Sequence, residues 1–293
     1  MVYIIKALRI SGYNLRKTLS SIRILAVLLA IACFIIQNMI PVSVFCTFVE
    51  IRATPYAFPH LVNDFVCQLV MTAGAVILFC NAPFEDEGYF YILPRAGRLS
   101  WALGQVVYII GVSFLYILFL LLVSVLPLFG HMEFGSEWGK IWGTLAKTDA
   151  GRQVGLMFTV TEYVVSRYSP IAALAISALL EWCCVSWLGF MIYLLNKLTG
   201  KAVGTCVGAF CVLLDICISN DWIPWARRYS PITLAQIKTY AGINLDYHIT
   251  FAYGIAFFII GMLTLSVCGI LANYKERAES WLQRLEGKWI RKE

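Results

Sequence analysis

Apolar residues fall into six nearly continuous stretches, 22–40, 61–80, 102–129, 170–195, 202–219 and 249–272. A helix needs about 20 apolar residues to cross the hydrocarbon of a bilayer, so each stretch predicts one span. Breakers or polar residues close them: Pro41, the Asn81-Ala82-Pro83 step, Gly130, Asn196-Lys197, Asn220-Asp221 and Lys275. The first run is long and has no small-residue cleavage site after it, so no cleaved signal peptide is expected.

The two ends follow a different period. On a helical wheel Ile4, Ile5, Leu8, Leu15 and Leu19 share one face, and Lys6, Arg9, Tyr13, Arg16, Lys17 and Ser20 the other. Such a basic amphipathic helix, 1–21, is expected to lie in the cytoplasmic interface. The tail, 273–293, repeats the pattern with Ala278, Trp281, Leu282, Leu285 and Trp289 on one side. Both ends read equally as surface anchors or as docking elements for a partner.

Composition makes the membrane reading general. Hydrophobic residues are 60% and charged residues 14%, where globular chains run roughly 45–50% and 25%. A soluble enzyme, a disordered chain and a nucleic-acid binder are therefore excluded, and the +6 formal charge forms no basic stripe. The expected class is an all-α integral membrane protein. The 10 cysteines lie in or beside apolar runs, none in a CxxC loop, so they read as small core and lipid-facing residues.

Lysine and arginine set the orientation. With the N-terminus inside, cytoplasmic segments hold 15 of the 23 basic residues, and the longer outer loops hold 8. Both termini are thus expected in the cytosol, with a multi-pass chain in a plasma membrane, in the bacterial case the cell membrane.

Two connections stand out. The cytoplasmic link 81–100 reads Asn81-Ala82-Pro83-Phe84, Glu85-Asp86-Glu87, Gly88-Tyr89-Phe90-Tyr91-Ile92-Leu93, then Pro94-Arg95-Ala96-Gly97-Arg98. Its carboxylates suit the N-terminal end of a short helix, and Pro94 is expected to end that helix at Leu93. Tyr89, Ile92 and Leu93 then form an apolar face, which marks either a protein contact or a loop packed on itself. The outer link 220–248 carries Trp222, Trp225 and Tyr229 at headgroup level and is broken by Pro224 and Pro231. It reads as a re-entrant or interfacial hairpin.

An interfacial basic helix, six spans, the run from Asn81 to Trp101 and a hairpin before the last span resemble the permease subunit of an ATP-binding-cassette exporter, of the type-2 permease class. That resemblance covers nearly the whole chain and rests on architecture. It implies an elbow helix at 1–21, a six-span domain at 22–272 and a coupling helix in the 81–100 loop. The coupling contact to the ATPase would be made by Phe84, Glu85, Asp86, Glu87, Tyr89, Phe90, Ile92, Leu93, Arg95 and Arg98. No GxxxxGK[ST] loop is present, and Gly287-Lys288 is followed by Trp289. The chain is therefore expected to be no enzyme and to hold no cofactor. ATP and magnesium would belong to a separate cassette ATPase, present in two copies beside a second permease, an identical copy being preferred to a relative.

Ionisable groups inside spans are candidates for the transport path, because a charge there costs about 2.5–3.5 kcal/mol on insertion scales. Asp64, Glu181 and Asp215 are the residues in question, with the uncharged amide Gln68 a weaker polar candidate; they either line a polar cavity, bond helix to helix or are simply protonated. The aromatic content of 14% suits an amphipathic or hydrophobic peptide as cargo, toxin- or bacteriocin-like, moved outward. Small drugs, lipids or another hydrophobic substrate form the alternative. Two other classes stay open. An ion-coupled carrier would favour inverted repeats, which are not visible. An intramembrane hydrolase would need a catalytic set at one depth, and His60, His131 and His248 all fall at or beyond the outer interface.

Overall fold

A computed structural model describes the backbone of residues 2–83, 87–241 and 248–290, and their side chains except Val2, Glu87 and 274–290. About 80% of the structure is helical and the described residues form no strand. Among the described residues four helices are long and apolar enough to cross a membrane: α2 (Ile22–Val49), α6 with the 3₁₀ turn that follows it (Arg98–Leu128), α10 (Pro170–Thr199) and the Phe251–Asn273 part of α13 (Phe251–Ile290). Two shorter apolar helices, α4 (Phe65–Phe79) and α11 (Val203–Ser219), pack among them.

α1 (Val2–Leu19) lies along α6. Its buried face is Ala7, Ile10, Asn14 and Thr18, spaced by three and four residues. Gly104 of α6 lets the helices close, since a Cβ there would sit 2.7 Å from Ile10 Cγ2. Thr18 and Tyr108 share a hydrogen bond of 2.6 Å. Ile4, Ile5 and Leu8 stay exposed beside this seam.

α13 is seated against α10 by glycines on one face. A side chain on Gly261 would overlap the Trp187 indole, and one on Gly269 would overlap the Tyr193 ring. The ring of Trp187 also stacks on Phe257 at 5.8 Å.

The boundaries differ from the sequence reading at four points. Pro41 does not close the first span, because Met39 and Val42 beside it are fully buried and packing carries α2 past one missing hydrogen bond. The second apolar stretch is two helices, α3 (Phe58–Asn63) and α4, broken at Asp64. The last helix continues beyond Lys275 to Ile290. Finally, Pro94 lies within α5 (Glu87–Ala96), which ends instead at Gly97, whose φ of 87° suits glycine.

The connection 130–169, polar and uninformative in sequence, folds into a cap. It contains α7 (Gly139–Lys147), α8 (Ala150–Gln153) and α9 (Glu162–Arg167). Trp142 Nε1 donates to the Thr54 carbonyl at 2.8 Å, and Thr54 Oγ1 donates to the Trp138 carbonyl at 3.0 Å. His60 is fully buried between these indoles, 4.9 and 5.1 Å from their centroids. Burial pushes its imidazole down to about 3, so it is neutral at ordinary pH.

Candidate functional site

Two places gather the chemistry. The first is a polar cluster inside the bundle. Asp64 stands between α3 and α4 with extended backbone, and its Oδ1 accepts from the N–H groups of Val66 (3.0 Å) and Cys67 (3.1 Å). It is the N-cap of α4, satisfying donors the helix cannot pair itself. Its Oδ2 accepts from Thr159 N–H at 3.3 Å, tying the cap to the bundle.

One turn further along α4, Gln68 Nε2 donates to Glu181 Oε2 of α10 at 2.8 Å. Asp215 of α11 accepts from Thr233 Oγ1 at 2.7 Å. Thr233 sits on α12 (Pro231–Ala235), whose first turn is capped by Ser230 and opened by Pro231. After α12 the 3₁₀ turn Ile237–Ala241 brings in Lys238. Lys238 Nζ donates to the Asn63 carbonyl at 2.6 Å, and its N–H donates to Asn63 Oδ1 at 2.9 Å. Burial draws the Lys238 ammonium down, while Asp64 and Asp215 act to hold its charge.

Asp64, Gln68, Glu181 and Asp215 are thus all buried within one chain, each with a partner from another segment or its own helix end. In this arrangement they tie segments of the chain to one another. The sequence did not reveal the roles of Asn63, Thr233 and Lys238. Only the Asn63-Asp64 pair ahead of an apolar run carried a local signal, that of a helix cap.

The second place is α5 and its base. Tyr89 turns inward, its ring 5.0 Å from Trp101 of α6, and Lys197 Nζ of α10 lies 5.9 Å over the same ring. Lys6 Nζ donates to the Arg95 carbonyl at 3.1 Å, a cation at the negative end of α5. Arg98 Nη1 donates to the Asn273 carbonyl at 3.1 Å, bracing α13. Below α5, Asn196 Nδ2 donates to the Ala82 carbonyl at 2.8 Å, and its Oδ1 accepts from Gly204 N–H at 2.8 Å.

The outward aromatics of α5 are Phe90 and Tyr91, 72% and 74% exposed. The sequence suggested Tyr89, Ile92 and Leu93 for that face. The structure instead packs Tyr89 on Trp101 and leaves Ile92 and Leu93 half-buried, with Arg95 exposed. Tyr91, Trp101 and Lys197 are contributors the sequence reading missed. Phe84, Glu85, Asp86 and the side chain of Glu87 lie outside the described residues, as does the apolar face of the tail.

No family model matches the chain, and neither a curated protein nor a solved structure is significantly similar to it.

Proposed function

We propose that the chain is the membrane subunit of an ATP-driven exporter, with a separate cassette ATPase docking on α5. In this reading six helices span the bilayer, α4 and α11 completing the set, and both termini are cytoplasmic. α1 is the elbow helix, α5 the coupling helix, and 231–241 the core of a re-entrant hairpin. The carrying observation is the build of α5: braced on one side through Tyr89–Trp101 and Lys6–Arg95, it presents Phe90 and Tyr91 on the other. Large exposed aromatics on a rigid element, beside charge, suit a hot spot for a protein partner. Two such chains with two ATPases would form the working unit, ATP and magnesium staying in the partner.

The proposed cargo is an amphipathic or hydrophobic peptide reached from the membrane. A photoreactive amino acid at position 90 tests the docking face: in native membranes it should cross-link to a polypeptide carrying a phosphate-binding loop. Cross-links confined to lipid would refute the assignment. A second reading, an ion-coupled carrier, draws on the buried carboxyls.

A further inference from the structure

α2 carries an amide where a bilayer offers nothing to bond it. Arg23 stands in the first turn of the helix and Glu50 is its C-cap; Gln37 lies 14 residues after the one and 13 before the other. At 1.5 Å per residue that is about 20 Å from either charge, the middle of a span. Gln37 is exposed, and its side chain has no hydrogen-bond partner among the described residues. Its neighbour Asn38 is buried and returns its amide to the Phe34 carbonyl at 2.9 Å. The exposed hydroxyls of the span-length helices bond backbone carbonyls, as Thr47 does to Ser43 (3.1 Å) and Thr264 to Ile260 (2.9 Å). Gln37 stands apart from them. An unpaired amide in hydrocarbon is costly, because lipid tails neither donate nor accept.

The residues on either side of Gln37 form a seam. Ala26, Ala30, Cys33, Gln37, Ile40 and Val44 are all exposed and are spaced alternately by four and three residues. That 3.5-residue period is the one along which two helices pack side by side over a long contact. Ala26, Ala30 and Cys33 are small, so a second backbone can approach closely along this half of the seam. The opposite face of α2, with Ile31, Ile35, Met39 and Val42, is buried against the chain's own helices. The seam is open to a neighbour.

We propose that this face of α2 is the contact between two copies of the chain, with the two Gln37 amides bonded to each other. A carboxamide donates and accepts at once, so an identical amide completes it, each NH₂ group donating to the other's oxygen. A two-fold axis along the membrane normal brings identical residues together at one depth, because both copies cross the bilayer in the same sense. One polar residue in an otherwise apolar seam also fixes the register, since a slip of one turn would leave both amides unpaired. This contact rests on the two-copy part of the permease reading and asks nothing of an ATPase.

Cys33 lies on the seam one turn from Gln37 and serves as the reporter. The full chain is made with a single cysteine, either Cys33 itself or one introduced by Ala30→Cys, Val44→Cys or Leu25→Cys, and oxidised in membranes with copper–phenanthroline. Positions 30, 33 and 44 should yield disulfide-linked dimer at least about fivefold more efficiently than position 25, which is exposed but off the seam. In lipid vesicles, Gln37→Leu should raise the dimer dissociation constant about tenfold, read by fluorescence transfer on dilution with lipid. No preference for the seam over position 25, or a Gln37→Leu dimer as tight as the wild type, would overturn the contact. Single-molecule photobleaching of the labelled wild type separates this failure from that of the two-copy reading. Two bleaching steps without cross-links along the seam overturn the α2 contact alone, whereas single-step bleaching overturns both.

Discussion

Asn196 donates its side-chain amide to the carbonyl of Ala82 over 2.8 Å, fastening the C-terminal end of α10 to the turn that leads into α5. The same side chain accepts from Gly204 at the start of α11, and Thr205 Oγ1 adds a bond to the Cys80 carbonyl at 3.2 Å. Three helices and the α5 base thus meet at one amide. Asn196→Ala leaves two buried backbone groups unpaired and should cost about 1–3 kcal/mol. Thermal unfolding in detergent would register this as a lower midpoint, and an unchanged midpoint would show that the junction contributes little.

Gly261 and Gly269 predict a different kind of loss. Gly261→Ala drives a methyl into the Trp187 indole and should destabilise the α10–α13 contact by about 1–3 kcal/mol through overpacking. The paired change Trp187→Leu should recover part of that loss. A double variant no better than the single one would place the clash elsewhere.

His60 gives a pH-dependent prediction. Its folded value near 3 lies below the ordinary value of 6.5, so the unfolded chain binds the extra proton. Its contribution to stability is therefore constant above about pH 6.5 and lost as pH falls from there toward 3. His60→Phe, which keeps a ring between Trp138 and Trp142, should flatten the acid limb of the stability curve. An equally steep limb in the variant would assign acid sensitivity to other groups.

Topology can be read by labelling. On a cysteine-free background, Ser136→Cys in the cap should react with an impermeant maleimide from outside. Lys201→Cys, between α10 and α11, should react only from inside. Both positions are exposed, so a reversed pattern would invert the orientation inferred from the basic residues.

Much of the helical layout was legible from hydropathy alone, because a long apolar run has few alternatives to a helix. Boundaries were less so. Pro41 and Pro94 looked like stops, yet packing around Met39 and Val42 and the bracing of α5 carry the helices through them. Asp64 looked like a charge within a span and is a helix cap. Long-range pairing left no local trace: Gln68 and Glu181 are 113 residues apart, and Lys238 meets Asn63 across 175. The cap 130–169 was opaque for the same reason. Its order comes from Trp138 and Trp142 closing on His60 and Thr54, which no period in the loop announces.

Docking of an ATPase on α5 is tested most directly by Phe90→Asp with Tyr91→Asp. Both side chains are largely exposed, so the change should leave the thermal midpoint of the membrane subunit unaltered. The measurement is the ATPase-to-subunit ratio in complex purified from native membranes. Near-complete loss of the ATPase, with the midpoint preserved, is the predicted result. Retention of the ATPase at the wild-type ratio, or absence of any phosphate-loop ATPase from the wild-type preparation, would contradict it.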